Sequence, residues 1–190
     1  RHVNTIKSGL LIHLYNIVEA VTTRTLLEVG MTVISEKPGL WTEYLLGEWI
    51  RSQVWNGEEQ IGDKAVKRLT KVGANLASGG FVDPFTIKGE PGSWDDVSIR
   101  KVSERLGCKL SLTAKIKREI FEKSYRDNTT ALQYLARRRN AIAHGSITFE
   151  EGSKDMTLGD LENLSKRILP FLKAVTLSYQ EFLHDKKYLA

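Results

Sequence analysis

The sequence predicts an all-α fold, a helical bundle with a less regular middle, and three observations support this prediction. Apolar residues recur three and four positions apart near both ends of the chain. Clusters of glycine, proline and asparagine separate these stretches. The chain has 190 residues, 41% hydrophobic and 27% charged, which is enough apolar material for one core. We therefore expect one domain over residues 1–190, with 31–110 as a possible insertion.

The first predicted helix covers residues 4–30, and Gly30 is a suitable end for it. Asn16 and Glu19 lie three positions apart, so they share one side of this helix near its apolar stripe. The segment lacks a small-residue cleavage site and carries Glu19 inside its apolar stretch, which favours an amphipathic helix over a signal peptide. The stripe consists of Ile6, Leu10, Leu14, Ile17, Val18, Val21, Leu26 and Val29.

The middle of the chain predicts shorter helices and turns. The expected elements are a turn or helix start at 37–40, helices over 41–55, 63–77 and about 98–106, and a loop or irregular hairpin over 81–94. Gly107 is expected to end the last of these helices, and Asp95 and Asp96 resemble helix-start residues more than paired catalytic acids. The tryptophans favoured as core or interface anchors are Trp41, Trp49 and Trp55, whereas Trp94 could also stack on a base.

The final third is the most strongly helical part of the sequence. Two helices are expected over 113–125 and 129–144, separated by "RDN", and Gly145 is a good left-handed cap after the second. A loop over 147–156 precedes a long helix that begins at Thr157, where Asp160 completes a capping box. This helix is expected to bend at Pro170 and to run to about Lys187. Its expected core or dimer residues are Phe171, Leu172, Val175, Tyr179 and Phe182.

Positive charge is concentrated between residues 115 and 139. The net charge of the chain is +5, and this segment alone has an excess of five basic residues, so the remainder is neutral as a whole. A local basic excess indicates an anionic partner, nucleic acid first, although a solvated helix face is about as common. The basic residues are Lys115, Lys117, Arg118, Lys123, Arg126, Arg137, Arg138 and Arg139.

The end of the 129–144 helix combines an arginine, an asparagine and a histidine. Asn140 and His144 are four apart, about 40° around the helix axis, and share a face. Arg139 lies about 140° from His144, which makes a direct contact on a straight helix poor. A histidine at a helix C-terminus beside guanidinium groups can move protons while an arginine steadies a phosphate. The simpler interpretation is that His144 is only a C-terminal helix cation.

The stretch "ALQYLARRRNAIAHGS" (131–146) resembles the signature helix of the HEPN superfamily, small all-α domains that bind nucleotides and RNA. Its motif is an arginine, four to six residues, then a histidine, and Arg139 and His144 fit it, with a polar residue directly after the arginine. "LYNIVEA" (14–20) and "TLGDLENLSKRILPFL" (157–172) resemble the first and last helices of a bacterial, defence-associated HEPN-like nuclease branch. The resemblance covers roughly residues 4–30 and 113–185.

This resemblance implies a metal-independent ribonuclease without a cofactor, usually dimeric, that cleaves single-stranded or loop RNA with the 2′-hydroxyl as nucleophile. His144 would then be general acid or base, Arg139 would hold the scissile phosphate, and Asn140 would orient one of them. Glu19 and Asn16 are supporting candidates from the first helix, although ordinary polarity in helix packing explains them equally well.

The resemblance also implies partners. A two-fold arrangement of the motif helix would gather phosphate-binding residues into one cleft, with RNA as the ligand and a second copy of the chain as the partner. A cognate antitoxin or sensor protein is a further possible partner. Ser146 stands where a toxin–antitoxin subset has a modified tyrosine, so regulation by that modification is not expected. The proposed RNA-binding residues are Arg137, Arg138, Lys123 and Arg126.

Several other kinds of site are disfavoured. Cys108 is the single cysteine, which excludes an internal disulfide or a thiolate zinc site and fits a reducing cytoplasm. His2, His13 and His184 have no partners at metal-ligand spacing. "SGGFVDPF" (78–85) lacks the Lys-Ser/Thr of a phosphate-binding P-loop. No uncharged apolar run reaches membrane-spanning length.

Two functions therefore remain open. The first is an RNA endonuclease, either a bacterial toxin or a phage-defence effector. The second is a catalytically inactive HEPN module that binds RNA, a nucleotide or a protein. The intact Arg139 and His144 favour the nuclease.

Overall fold

The computed structural model describes residues 2–54, 63–89, 93–123 and 125–190. Within these ranges the chain is all-α, as the sequence predicts, and Trp55 lies outside them. None of the described helices is long and apolar enough to cross a membrane. The helices are α1 (His2–Thr32), α2 (Glu43–Val54), α3 (Asp63–Ser78), α4 (Asp96–Arg105), α5 (Ala114–Phe121), α6 (Ala131–Ala143) and α7 (Leu158–His184), with short 3-10 turns at Val33–Ser35, Pro38–Leu40 and Glu151–Ser153.

The core is built on the two long helices, α1 and α7, with α6 packed against both. The five residues of α7 expected in the core are all buried, as are Trp41 and Trp49, whose rings meet edge to face with centres 6.1 Å apart. Pro170 lies on the exposed side of α7, where water can satisfy the carbonyl that its missing N–H leaves free. The helix therefore continues through it.

Helix α1 is apolar on two sides, and only one of them is buried. Leu11, Leu14 and Val18 lie in the core, but Ile6 is 62% exposed and Leu10 is 48% exposed. Both belong to the stripe found in the sequence, which mixes buried and exposed positions. The exposed apolar residues of α1 are Val3, Ile6, Leu10, Leu27 and Met31.

Gly30 lies inside α1 and does not end it, so this predicted boundary was wrong. A Cβ atom at Gly30 would lie 2.2 Å from the carbonyl oxygen of Phe85, so only glycine allows the 81–89 segment to cross here. Phe85 and Ile87 of that segment are buried in the core. The middle of the chain therefore packs directly on the end of α1.

Helix α5 is shorter than the sequence predicts because of the turn that follows it. It ends at Phe121 instead of 125, and Glu122 is extended with φ −67° and ψ 114°. Asp127 and Asn128 have φ values of 50° and 54°, which form a tight left-handed turn. Tyr125 N–H donates to the Thr129 carbonyl across this turn, so Tyr125 cannot stay helical.

Candidate active site

The C-terminal end of α6 holds the motif histidine in an exposed position. His144 is the helix cap, and Gly145 follows with φ +71°, the left-handed conformation expected there. The Ser146 N–H donates to the Ala141 carbonyl and the Gly145 N–H to Ile142, the pairing of a Schellman motif. The His144 ring therefore stands on a fixed helix end and faces solvent.

Three neighbours hold Arg139 in one orientation. One guanidinium nitrogen donates to Oδ1 of Asn140 at 3.0 Å, and the other donates to a Glu19 carboxylate oxygen at 3.3 Å. The guanidinium carbon lies 4.7 Å from the ring centre of Tyr15, a cation–π contact. The side chain remains 31% exposed, and these bonds use two of its five N–H donors, which leaves others for a phosphate.

A polar chain extends from Arg139 to the segment before α4. Asn140 accepts from Arg139 and donates through Nδ2 to Oγ of Ser93. Tyr15 is 1% exposed, and its hydroxyl oxygen accepts from the Trp94 N–H at 3.0 Å. The sequence did not single out Tyr15 or Ser93 as site residues, and it left Trp94 open only as a residue that could stack on a base. A further sequence signal was the position of Tyr15, one helical turn before Glu19.

The monomer does not join its arginine to its histidine. Among the described residues, no hydrogen bond or ion pair connects Arg139 with His144. Asn16 is exposed and forms no side-chain hydrogen bond in the part of the chain that the structure describes. Of the two supporting candidates on α1, Glu19 thus binds Arg139, whereas Asn16 has no hydrogen bond to Arg139 among the described residues.

Two of the four predicted RNA-binding residues take part in ion pairs. Arg126 lies 3.5 Å from an Asp155 oxygen and 3.1 Å from an Asp160 oxygen, and Arg138 also binds Asp155. Hydrogen bonds from Thr157 hold the pKa of the Asp160 carboxyl below its usual range, which keeps the acceptor charged. An RNA phosphate at Arg126 or Arg138 would have to compete with these carboxylates.

The other two predicted RNA-binding residues, Arg137 and Lys123, are exposed. Over the described ranges, neither forms an ion pair with a carboxylate. Arg137 lies on α6 two positions before Arg139, and Lys123 follows α5. Of the four predicted RNA-binding residues, these two are therefore the more available to an anionic ligand.

The loop after His144 is fixed to the start of α1. The buried Lys7 ammonium donates to the Met156 carbonyl, and the hydroxyls of Ser8 and Ser153 are 3.0 Å apart. The Ser153 hydroxyl also donates to the Asn4 carbonyl at 2.9 Å. The residues that follow the motif are thus anchored on α1, the same helix that carries Glu19.

Cys108 is buried, with its thiol 3.8 Å from the Ser178 carbonyl oxygen on α7. Burial raises the pKa of this thiol to about 12, so it is an unreactive thiol. Asp95 caps α4, as expected, by accepting from the Ser98 N–H.

The model of the HEPN_MAE_28990-like HEPN family matches the chain over residues 1–188. The chain is a HEPN protein. The match includes the middle residues, which the sequence resemblance leaves uncovered, and it agrees with the observed all-α fold. The HEPN superfamily includes ribonucleases and RNA-binding domains. No curated protein and no solved structure matches the chain.

Proposed function

We propose that this HEPN protein is a metal-independent endoribonuclease that acts as a dimer on single-stranded or loop RNA. The observation that carries the proposal is the end of α6. There an exposed His144 follows an arginine that Glu19, Asn140 and Tyr15 hold in place. A fixed cation and an exposed imidazole at the end of one helix provide the two groups that metal-free phosphodiester cleavage requires, namely a charge stabiliser and a proton carrier.

The proposed reaction uses the 2′-hydroxyl of the RNA as nucleophile. A histidine removes the hydroxyl proton as O2′ attacks phosphorus, and a second group protonates O5′ as the P–O5′ bond breaks. The products are a 2′,3′-cyclic phosphate and a free 5′-hydroxyl, with no net gain or loss of protons. Arg139 would stabilise the additional negative charge on the phosphate oxygens in the transition state.

In the proposed dimer, the general base and the general acid that the reaction needs come from two protomers. Among the described residues, His144 is the exposed histidine that one protomer presents at the end of α6, and its Arg139 is directed toward Glu19 and Asn140. A second copy would supply the missing histidine across a two-fold axis. The exposed apolar residues Ile6 and Leu10 offer a surface for that contact. They lie on the half of α1 that anchors the loop after His144.

The experiment that tests the proposal is cleavage of labelled single-stranded RNA in excess EDTA. Wild type should release products with cyclic phosphate ends, whereas His144→Ala and Arg139→Ala should lose about 10²–10⁴-fold in rate. Thermal melting of each variant checks that it is folded. Equal cleavage by either folded variant and wild type would contradict the proposal.

A second candidate function is an inactive HEPN module that binds RNA without cutting it. The Glu19–Arg139 ion pair favours this alternative, because it already neutralises the charge that a phosphate would need. The module would bind RNA with a steep dependence on salt and yield no products. An RNA affinity that does not change with salt concentration, or no RNA binding, would indicate instead an adaptor that binds a protein partner.

We also propose that the protein is a bacterial toxin or phage-defence effector in the cytoplasm, controlled by a cognate antitoxin or sensor protein. The support is the resemblance of its first and last helices to a defence-associated branch, together with the single cysteine, which cannot form an internal disulfide. Induced expression of wild type in bacteria should arrest growth and fragment RNA, and His144→Ala should do neither. Normal growth with abundant folded wild type would argue against a toxin.

A further inference from the structure

A second polar site lies directly beside the motif, in a cavity of about 320 Å³ between α4 and α6. This volume is at the lower end of the range of ligand pockets, enough for one nucleotide unit. Val97 and Lys101 lie four apart on α4, and Arg137 and Asn140 lie three apart on α6, so each pair shares one helix face. The polar residues of the lining that matter are Ser93, Asp95, Lys101, Gln133, Arg137 and Asn140.

Hydrogen bonds at two points hold the walls of this cavity. At one end the Thr130 hydroxyl, which caps α6, donates to the buried Asp96 carboxyl at the start of α4. At the other end Asn140 donates to the hydroxyl of Ser93. The segment 93–96 is therefore bonded to both the start and the end of α6. The cavity is a fixed part of the fold.

The cavity presents two cations that are not engaged by carboxylates. Lys101 and Arg137 are both exposed, and in the described parts of the chain neither forms an ion pair. Arg126 and Arg138, in contrast, are paired with Asp155. The cationic pair suits an anionic group such as a phosphate.

The cavity also presents one carboxylate with a free side. Both hydrogen bonds that the Asp95 carboxylate accepts, from the N–H and the hydroxyl of Ser98, go to Oδ1, at 2.8 and 2.9 Å. Oδ2 is thus left for a ligand that donates a hydrogen bond. A ligand that combines an anionic phosphate with an amino donor matches both features, and a nucleotide with an amino-bearing base has that combination.

We propose that this cavity binds the RNA nucleotide next to the scissile phosphate, with Lys101 and Arg137 on its phosphate and Asp95 on the amino group of its base. The inference rests on the proposed function, because Asn140 connects the two places. Its Oδ1 accepts from Arg139 and its Nδ2 donates to Ser93 at the edge of the cavity. A strand with one phosphate at Arg139 thereby brings its neighbouring nucleotide to the cavity. The base preference follows, with cytosine favoured over uracil.

The phosphate part is tested by fluorescence anisotropy with labelled oligo(C) and oligo(U), using His144→Ala protein so that no cleavage occurs. Adding Lys101→Ala or Arg137→Ala should weaken binding of both RNAs roughly fivefold. Each should also reduce the slope of log K against log salt by about 1. Lys173→Ala, an exposed lysine on α7 outside the cavity, is the matched control. Affinities and slopes equal to those of the control would overturn the proposal.

The base-reading part is tested with Asp95→Asn. Asparagine is an equally good N-cap, so α4 should keep its start, while an N–H₂ donor replaces the free acceptor oxygen. The protein with Asp95 should bind oligo(C) more tightly than oligo(U). In Asp95→Asn, the ratio of the oligo(C) affinity to the oligo(U) affinity should fall about tenfold, so that the preference is lost or reversed. An unchanged preference in folded Asp95→Asn protein would overturn this assignment.

The two proposals fail in distinguishable ways. Suppose that the Lys101 and Arg137 variants bind RNA more weakly and that wild type does not cleave RNA in EDTA. The nucleotide site would then be supported and the nuclease proposal would be rejected. Cleavage by wild type with control-like binding of these variants would keep the nuclease and reject the site.

Discussion

Removal of the Glu19 carboxylate tests whether Arg139 works because it is held in place. The change is Glu19→Ala, which deletes the acceptor 3.3 Å from the guanidinium and leaves the Asn140 and Tyr15 contacts intact. Glu19→Gln is the matched variant, since its amide oxygen can still accept from the same nitrogen. Both substitutions lie on α1, whose length and packing they should preserve.

The expected effect on stability is small. Glu19 is 46% exposed and Arg139 is 31% exposed, so water screens the pair, and its loss should cost about 0.2–1 kcal/mol of unfolding free energy. The expected effect on catalysis is larger, because a misplaced charge stabiliser loses about 10–100-fold in rate. Glu19→Gln should fall between wild type and Glu19→Ala.

The assay is single-turnover RNA cleavage in EDTA, run in parallel with urea unfolding. In the Arg139→Ala background, Glu19→Ala should have no further effect on the rate, because the group that it positions is gone. A rate loss of equal size in both backgrounds would refute the positioning role. A rate gain in Glu19→Ala would show that the carboxylate competes with RNA for the arginine.

Three other predictions follow from the fold. Burial raises the pKa of the Asp96 carboxyl above its usual 3.8, so the protonated form is favoured on folding and stability is lost as pH rises through the folded-state pKa. Asp96→Asn should therefore be at least as stable as wild type in urea unfolding at neutral pH, and this advantage should disappear as pH falls toward 3.8. If wild type became the more stable of the two proteins as pH rises, the prediction would be refuted. Gly145→Ala forces a left-handed φ on an L-residue and should lower the free energy of unfolding, measured by thermal melting, by about 1–2 kcal/mol. The control Gly73→Ala, in open space on α3, should not lower it. Equal effects of the two substitutions would rule out backbone strain at Gly145. Ile6→Glu should shift the protein toward monomer in analytical ultracentrifugation, while the control Val66→Glu, at another exposed apolar residue on α3, should not. An Ile6→Glu protein with an unchanged oligomeric state would place the interface elsewhere.

The helices were largely predictable because their signals are local. The apolar periodicity gave α1, α6 and α7 to within a few residues, and the Thr157–Asp160 capping box begins α7 as expected. The error at α5 also has a local cause. Asp127 and Asn128 form a tight turn with positive φ values, and the Tyr125 N–H donates to the Thr129 carbonyl across it. The periodicity of apolar residues does not reveal this turn, so the sequence predicts a helix that is too long.

The site was only partly predictable because its contacts are distant in sequence. Arg139 and His144 were found from the motif, and Glu19 from its place on the first helix. Ser93 and Trp94 reach the site only through the packing of the middle segment against α1 and α6. The spacing of residues within one helix does not indicate which distant part of the chain packs against that helix. These contacts therefore could not be predicted from the sequence.

The central claim, a metal-free site shared by two protomers, is tested most directly by mixing subunits. Wild type and His144→Ala are denatured together, refolded at varied ratios, and assayed for RNA cleavage in EDTA. If both histidines of a dimer are required, activity should follow the square of the wild-type fraction, about one quarter at an equal mixture. A linear dependence, with about one half of the activity remaining at that ratio, would show that each protomer acts alone and would contradict the account.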